Sequence, residues 1–344
     1  MDIHLSVTER YSAGAREVQA ELCCPVDYDT DLLKALPQEI IERDYGCGDP
    51  SRYVQPGDVV LDLGSGGGKI CYMAAQIVGP QGRVIGIDMN DDMLVLARKY
   101  QQDLADKFGV RIDFAKGYIQ DLKLDVDVME AYLSRAPVDS LHELQKFETW
   151  KRQQRHETPL IEDNSISLVL SNCVLNLVSD EQKKQLVNEI WRVTRPGGRI
   201  AISDIISDQA VPQSMKDDPE LWSGCISGAF GEKEFLDVFA EVGFANVYYD
   251  KWDTAPWKVI NDIEFRSVTV VATKPLSASA GQVMYRGPHQ GITGNDGCYY
   301  ERGIRHDISA EQKASLLSGD DFIDLSDNSV NAGTSCCSPT SGCC

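Results

Sequence analysis

Apolar residues run through Val59-Val-Leu-Asp-Leu63, interrupted by Asp62 alone, and stop at Gly64-Ser-Gly-Gly-Gly68. Ile70 to Val78 then reads as a helix. The order is buried strand, glycine turn, helix. Further apolar runs at Arg83–Asp88, Arg111–Ala115, Ile166–Asn172, Arg199–Ile205, Asn246–Trp252 and Glu264–Lys274 read as strands. Between them, Asp91–Lys107, Glu181–Thr194 and Glu232–Val242 carry helical spacing, and Arg195-Pro-Gly-Gly198 reads as a turn. Strands alternating with helices predict an α/β fold, a mostly parallel seven-stranded sheet with helices on both faces.

The same pattern divides the chain. Residues 1–58 form an N-terminal cap segment, with helical stretches at Val18–Leu22 and Leu32–Arg43 and a turn at Tyr45–Pro50. Residues 59–206 are the Rossmann-like core. Inside it, 123–160 is an insertion of two polar helices (Leu122–Leu133 and Leu141–Arg155), either a solvated hairpin or a substrate lid. Residues 207–275 hold a loop around Cys225 and the closing strands. Residues 276–325 read as a small C-terminal module with a helix near Ala310–Leu317. Residues 326–344 are a polar, cysteine-rich tail expected to be disordered.

The glycine turn narrows the chemistry. Glycines let a backbone turn sharply and approach a ligand closely, and a helix start offers free N–H groups. Asp62 followed by Gly64-Ser65-Gly66-Gly-Gly68 has the acidic-x-GxGxG form of S-adenosylmethionine enzymes. It is not the GxGxxG of dinucleotide enzymes, and it lacks the Gly-Lys-Ser/Thr ending of a phosphate loop. Asp88, ending the second strand, suits the two hydroxyls of a ribose. Gly117-Tyr118-Ile119 follows the third strand, where this fold class borders the adenine ring. The expectation is a class I methyltransferase fold with S-adenosylmethionine as cofactor.

Charge and cysteine content change the picture next. The chain carries 33 Lys and Arg against 53 Asp and Glu, a net charge of −20. That disfavours nucleic acid and anionic membranes as partners. No apolar run approaches a membrane span, and Met1-Asp-Ile-His-Leu-Ser lacks a signal-peptide pattern, so a cytoplasmic, monomeric enzyme is expected. Eleven cysteines are many for a reducing compartment. They read as buried apolar residues, soft-ion ligands or redox partners.

Their positions favour a pocket role. Cys71 follows the first strand in the opening turns of its helix, where a thiol pKa is lowered. Cys173 follows Asn172 at the end of the fourth strand. In open α/β sheets ligands bind at this edge, near the switch in strand order. Cys225 lies in a glycine-flanked loop that could close over the same pocket. No His or Lys stands at the ends of the fourth and fifth strands to serve as a general base, whereas soft sulfur ligands do stand there.

With these residues in view, the chain resembles the arsenite S-adenosylmethionine methyltransferases. The matching stretches are Cys23-Cys24, Tyr45-Gly-Cys-Gly48, Asp62–Gly68 with Cys71-Tyr72, Ile87-Asp-Met89, Gly117-Tyr-Ile119, Ser171-Asn-Cys173 with Asn176-Leu177, and Gly224-Cys225 with Gly228-Ala229. Gly291-Ile-Thr-Gly294 and the cysteine-rich tail also match some members. The resemblance implies that Cys173 and Cys225 hold trivalent arsenic, with Cys71 as a third ligand that also enters a disulfide relay. Cys24 or Cys23 would be its N-terminal partner, and thioredoxin or glutathione the reductant. Asp62, Gly64, Ser65, Gly66, Gly68, Asp88, Met89, Gly117, Tyr118, Ile119 and Asn172 are the implied cofactor contacts. One departure is local: the family commonly has Arg-Asp before the Cys-Tyr pair, and this chain has Lys69-Ile70.

Two rival readings follow from the same residues. One is a methyltransferase for a carbon, oxygen or nitrogen acceptor, with structural cysteines. The other is a non-catalytic metalloid- or zinc-binding protein, with Cys23, Cys24 and Cys47 available to zinc.

Overall fold

A computed structural model of the protein describes residues 3–19, 26–276, 281–294, 297–317 and 321–325. Cys23, Cys24 and the 326–344 tail lie outside these residues. The chain forms two compact units, Met1–Lys274 and Pro275–Cys344.

In the first unit the strands are β1 (Val59–Leu63), β2 (Arg83–Asp88), β3 (Arg111–Lys116), β4 (Ile166–Asn172), β5 (Thr194–Ser207), β6 (Phe230–Gly231), β7 (Ala245–Trp252), β8 (Lys258–Ile260) and β9 (Ile263–Thr273). They form one sheet of order β3-β2-β1-β4-β5-β9-β7, with β6 on β5 and β8 on β9. The five leading strands pair in parallel, and β9 runs antiparallel to β5 and β7. The expected seven-stranded sheet is therefore present, extended by two short edge pieces. The Pro-Gly-Gly segment is no free turn: β5 already starts at Thr194, and its pairing with β4 shifts register between Ile166 and Leu168.

The helices are α1 (Ile3–Arg16), α2 (Thr30–Leu33), α3 (Gln38–Glu42), α4 (Lys69–Val78), α5 (Asp91–Lys99), α6 (Gln101–Phe108), α7 (Val126–Arg135), α8 (Leu141–Glu157), α9 (Asp180–Val193), α10 (Gln213–Lys216), α11 (Pro219–Ser223) and α12 (Glu234–Glu241). Successive strand residues face opposite sides of the sheet. Val60, Leu168 and Leu170 pack on one face with Met73 and Val78 of α4. Leu61, Leu63 and Val169 pack on the other with Leu186 and Ile190 of α9.

The N-terminal segment differs from expectation. Its long helix is Ile3–Arg16, while Val18 and Gln19 are not helical. The Leu32–Arg43 stretch is two short helices, because Pro37 brings no N–H to continue the first. The inserted hairpin of α7 and α8 is solvated: α8 has no buried residue. Arg155 on α8 pairs with Asp121 at 2.6 Å. No helix among the described residues is long and apolar enough to cross a membrane.

The second unit holds β10 (Gly281–Tyr285), β11 (Gly291–Thr293), β12 (Tyr299–Glu301), β13 (Arg305–Ile308), α13 (Ala310–Leu316) and β14 (Phe322–Asp324). A sheet of order β13-β10-β14 closes over Val283, Tyr285, Tyr300, Ile308 and Phe322.

Candidate active site

Strand order reverses between β1 and β4, and the cleft opens at the carboxyl ends of these strands. It encloses about 1030 Å³, part of it open solvent. Gly64, Gly66 and Gly68 all take positive φ, as the turn out of β1 demands. Gly64, Ser65, Gly66, Asp62, Asp88, Met89, Gly117, Tyr118, Ile119 and Asn172 line the cleft, as does Cys173. Gly68 does not; it is the N-cap of α4.

The acids are arranged differently from one another. Asp88 accepts Gly66 N on Oδ2 and Asn90 N on Oδ1, each at 2.8 Å. Burial nevertheless raises its pKa. Asp62 is buried beneath the loop, and burial pushes its carboxyl up to about 7, with Asp44 and Asp88 adding to the rise. From α1, Val7, Thr8 and Tyr11 also line the cleft. The side chain of Asn90 ties that helix down by donating to Thr8 O and Ser12 Oγ, both at 3.0 Å.

At one end of the cleft three thiols meet. Cys173 Sγ, Cys47 Sγ and a carboxylate oxygen of Asp204 all lie within 4.8 Å of one another. Cys225 Sγ donates to Cys173 O at 3.1 Å, and Tyr11 OH lies 3.9 Å from Cys225 Sγ. All three cysteines are buried. Cys173 and Cys225 take positive φ, 65° and 62°, a region costly for side chains other than glycine. Cys173 N donates to Ser203 O and Cys225 N to Trp222 O, which holds these backbones in place. Contact with the neighbouring thiols, together with burial, raises the pKa of Cys173, and burial raises that of Cys47. Asp204, fully buried, is raised to about 6 by burial. Among the described residues lining the cleft there is no His or Lys.

Besides Gly68, two more of the expected site residues need correction, because their side chains are engaged elsewhere. Cys71 is not with the other thiols. Its helix turns Ile70 to the cleft and Cys71 into the core, where Sγ donates to Asp62 Oδ2 at 3.2 Å. The helix start does not produce a thiolate there: burial and the Asp62 charge raise its pKa well above the usual value. Asn172 lines the cleft, but its amide is engaged elsewhere. Oδ1 accepts Cys47 N at 2.9 Å and Gly48 N at 3.0 Å, while Nδ2 donates to Gly48 O at 2.8 Å. Gly46 makes this possible, since a Cβ there would stand 1.9 Å from the Asn172 amide. Asn172 is thus the seat of the Cys47 turn. The sequence offers Cys47 only to a zinc alternative and reads Tyr45–Pro50 as a turn, without grouping Cys47 with Cys173 and Cys225. The signal was its flanking glycines, the same setting that marked Cys225.

The cleft fits S-adenosylmethionine. An acid ends β2, Met89, Met93 and Ile119 offer apolar flanks to a flat ring, and Ser65 Oγ in the glycine loop is buried without a partner among the described residues. Carboxylates outnumber cations along the lining, which suits a sulfonium. Fold and cleft together define a class I S-adenosylmethionine methyltransferase architecture. The chain belongs to the methyltransferase domain family, whose model matches residues 55–243. It is 30% identical over 283 residues to an arsenite methyltransferase of Halobacterium salinarum, covering 80% of this chain and 61% of that protein. To an arsenite methyltransferase of Aquipseudomonas alcaligenes it is 29% identical over 305 residues, covering 83% and 78%. The chain thus spans about three fifths of the first relative's length and nearly four fifths of the second's. Its structure is similar to the crystal structure of an arsenic(III) S-adenosylmethionine methyltransferase from Chlamydomonas reinhardtii. The TM-score is 0.56 at 26% identity, covering 89% of this chain and 98% of that one.

Proposed function

We propose that the protein methylates trivalent arsenic held by Cys47, Cys173 and Cys225. The observation that carries this reading is the meeting of three buried thiols at the end of the cofactor cleft, with no His or Lys among the described residues of its lining. Three sulfurs are a soft donor set suited to a soft acceptor. Arsenic arriving as a tris-thiolate exchanges onto the three cysteines and releases three small thiols. Each incoming thiol gives its proton to a departing one, so the exchange needs no base. The bound arsenic keeps a lone pair. S-adenosylmethionine would supply an electrophilic methyl group: the arsenic lone pair takes it as the sulfonium S–CH3 bond breaks, its electron pair staying on the sulfur of S-adenosylhomocysteine. The attacking atom carries no proton, which is why a general base is dispensable. The protein contributes orientation, worth roughly 7–11 kcal/mol in the best intramolecular cases. Methylation leaves arsenic pentavalent. A further thiol attacks one arsenic-bound sulfur and loses its proton, the As–S bond breaks with its electron pair left on arsenic, which returns to the trivalent state, and the two sulfurs close to a disulfide that thioredoxin or glutathione reopens.

Arsenite binding tests the donor set. The terminal Cys336, Cys337, Cys343 and Cys344 are first replaced by serine so that they do not compete. Serine at Cys47, Cys173 or Cys225 should each weaken arsenite binding by roughly a hundredfold, about 2.8 kcal/mol. Serine at Cys71 should leave it near wild type. Dependence on Cys71 with indifference to Cys47 would reverse the assignment.

A further inference from the structure

Three carboxylates line the cofactor cleft: Asp44, Asp62 and Asp88. Two are committed. Both oxygens of Asp88 receive backbone N–H groups, and Asp62, 2% exposed, accepts the Cys71 thiol. Asp44 is different. Its ion pair with Lys69 Nζ falls on Oδ2, as do its hydrogen bonds from Tyr28 OH (3.1 Å) and Gly46 N (3.4 Å). Oδ1 has no partner among the described residues. The three donors on Oδ2 fix the carboxylate. Lys69 is 4% exposed and lies 3.4 Å from the centroid of the Tyr28 ring, and Tyr28 OH accepts from Asn172 Nδ2 at 3.3 Å.

Position along the sheet decides what meets Oδ1. Met89 follows β2 and Ile119 follows β3, so an adenosine lies over that side. Asp44 binds Lys69 at the start of α4, and Tyr28 OH bridges it to Asn172 at the end of β4. Arg43 O lies 3.8 Å from where a Cβ on Gly67 would stand, which puts this turn against the glycine loop. A cofactor laid along the edge therefore brings its amino-acid end to Asp44. Ile70, the α4 residue that lines the cleft there, offers no polar group. We infer that Asp44 Oδ1 receives the α-ammonium of the cofactor's methionine portion, with Lys69 and Tyr28 positioning the carboxylate.

Calorimetric binding of three ligands tests this without any turnover. They are S-adenosylhomocysteine, its analogue with hydrogen in place of the α-amino group, and 5′-methylthioadenosine. Removing the amino group should cost wild type roughly tenfold or more in affinity, the size of a charge-assisted hydrogen bond. Asp44→Asn should lose the same factor for S-adenosylhomocysteine, nothing further for the deaminated analogue, and nothing for 5′-methylthioadenosine. Adding Ile70→Asp to that variant should recover part of the loss. Indifference of wild type to the amino group overturns the assignment with no variant needed. So does an Asp44→Asn chain that binds S-adenosylhomocysteine as wild type does, or one that is weakened equally for all three ligands. Arsenic takes no part in these measurements, so they stand apart from the thiol reading.

Discussion

Cys47 and Cys173 are 126 positions apart in sequence, yet the fold puts their sulfurs against one carboxylate. Only tertiary structure creates that neighbourhood, which is why Cys71, adjacent in sequence to the glycine loop, looked the better third thiol. The glycine loop and Asp88 were legible because their chemistry is local: a strand end, a turn and an acid at fixed spacing. Asp62 carries a prediction at this scale. Its carboxyl titrates near 4 in the unfolded chain and near 7 in the folded one. Between those values the folded state holds the extra proton, so stability falls as pH rises through the window. The slope from this one group reaches about 1.4 kcal/mol per pH unit. Denaturant melts between pH 5 and pH 7 should show a shallower decline in Asp62→Asn than in wild type. Equal slopes would mean that Asp62 is ionised throughout.

Among the elements, the sheet strands were readable because each is an apolar run bounded by turn residues, and their observed limits shift by a residue or two. β5 is the exception, lengthened backward through Pro196 by pairing that no local pattern encodes. Helix α1 was missed because of its residues with described side chains only Gly14 and Ala15 are buried, so the apolar stripe is faint. Its partners are specific nonetheless: Arg10 Nη1 donates to Glu220 O and to Ser223 Oγ beside the Cys225 loop. The Tyr45–Gly48 turn depends on one side chain in the same way. Asn172→Ala removes the acceptor for two backbone N–H groups, a loss of roughly 1–3 kcal/mol in stability. Arsenic methylation should fall at least about tenfold while 5′-methylthioadenosine affinity, which does not depend on Asp44, stays within about threefold. A parallel loss of 5′-methylthioadenosine affinity, measured by calorimetry, would instead return Asn172 to the cofactor contacts.

At the scale of the whole molecule, every cleft-lining residue and all three clustered thiols belong to the unit that ends at Lys274. The second unit has its own sheet and apolar core. A chain ending at residue 276 should therefore fold and bind S-adenosylhomocysteine within about twofold of the full chain. Loss of that binding would assign the second unit a part in building the cleft.

The most direct measurement is methyl transfer from labelled S-adenosylmethionine to arsenite, with glutathione and thioredoxin present, in wild type and Cys173→Ser. Wild type should yield methylated arsenic and the variant at least about a hundredfold less, with S-adenosylhomocysteine binding retained in both. A wild type that binds S-adenosylmethionine yet yields no arsenic product, or a Cys173→Ser chain that keeps its activity, would contradict it and direct attention to a carbon, oxygen or nitrogen acceptor.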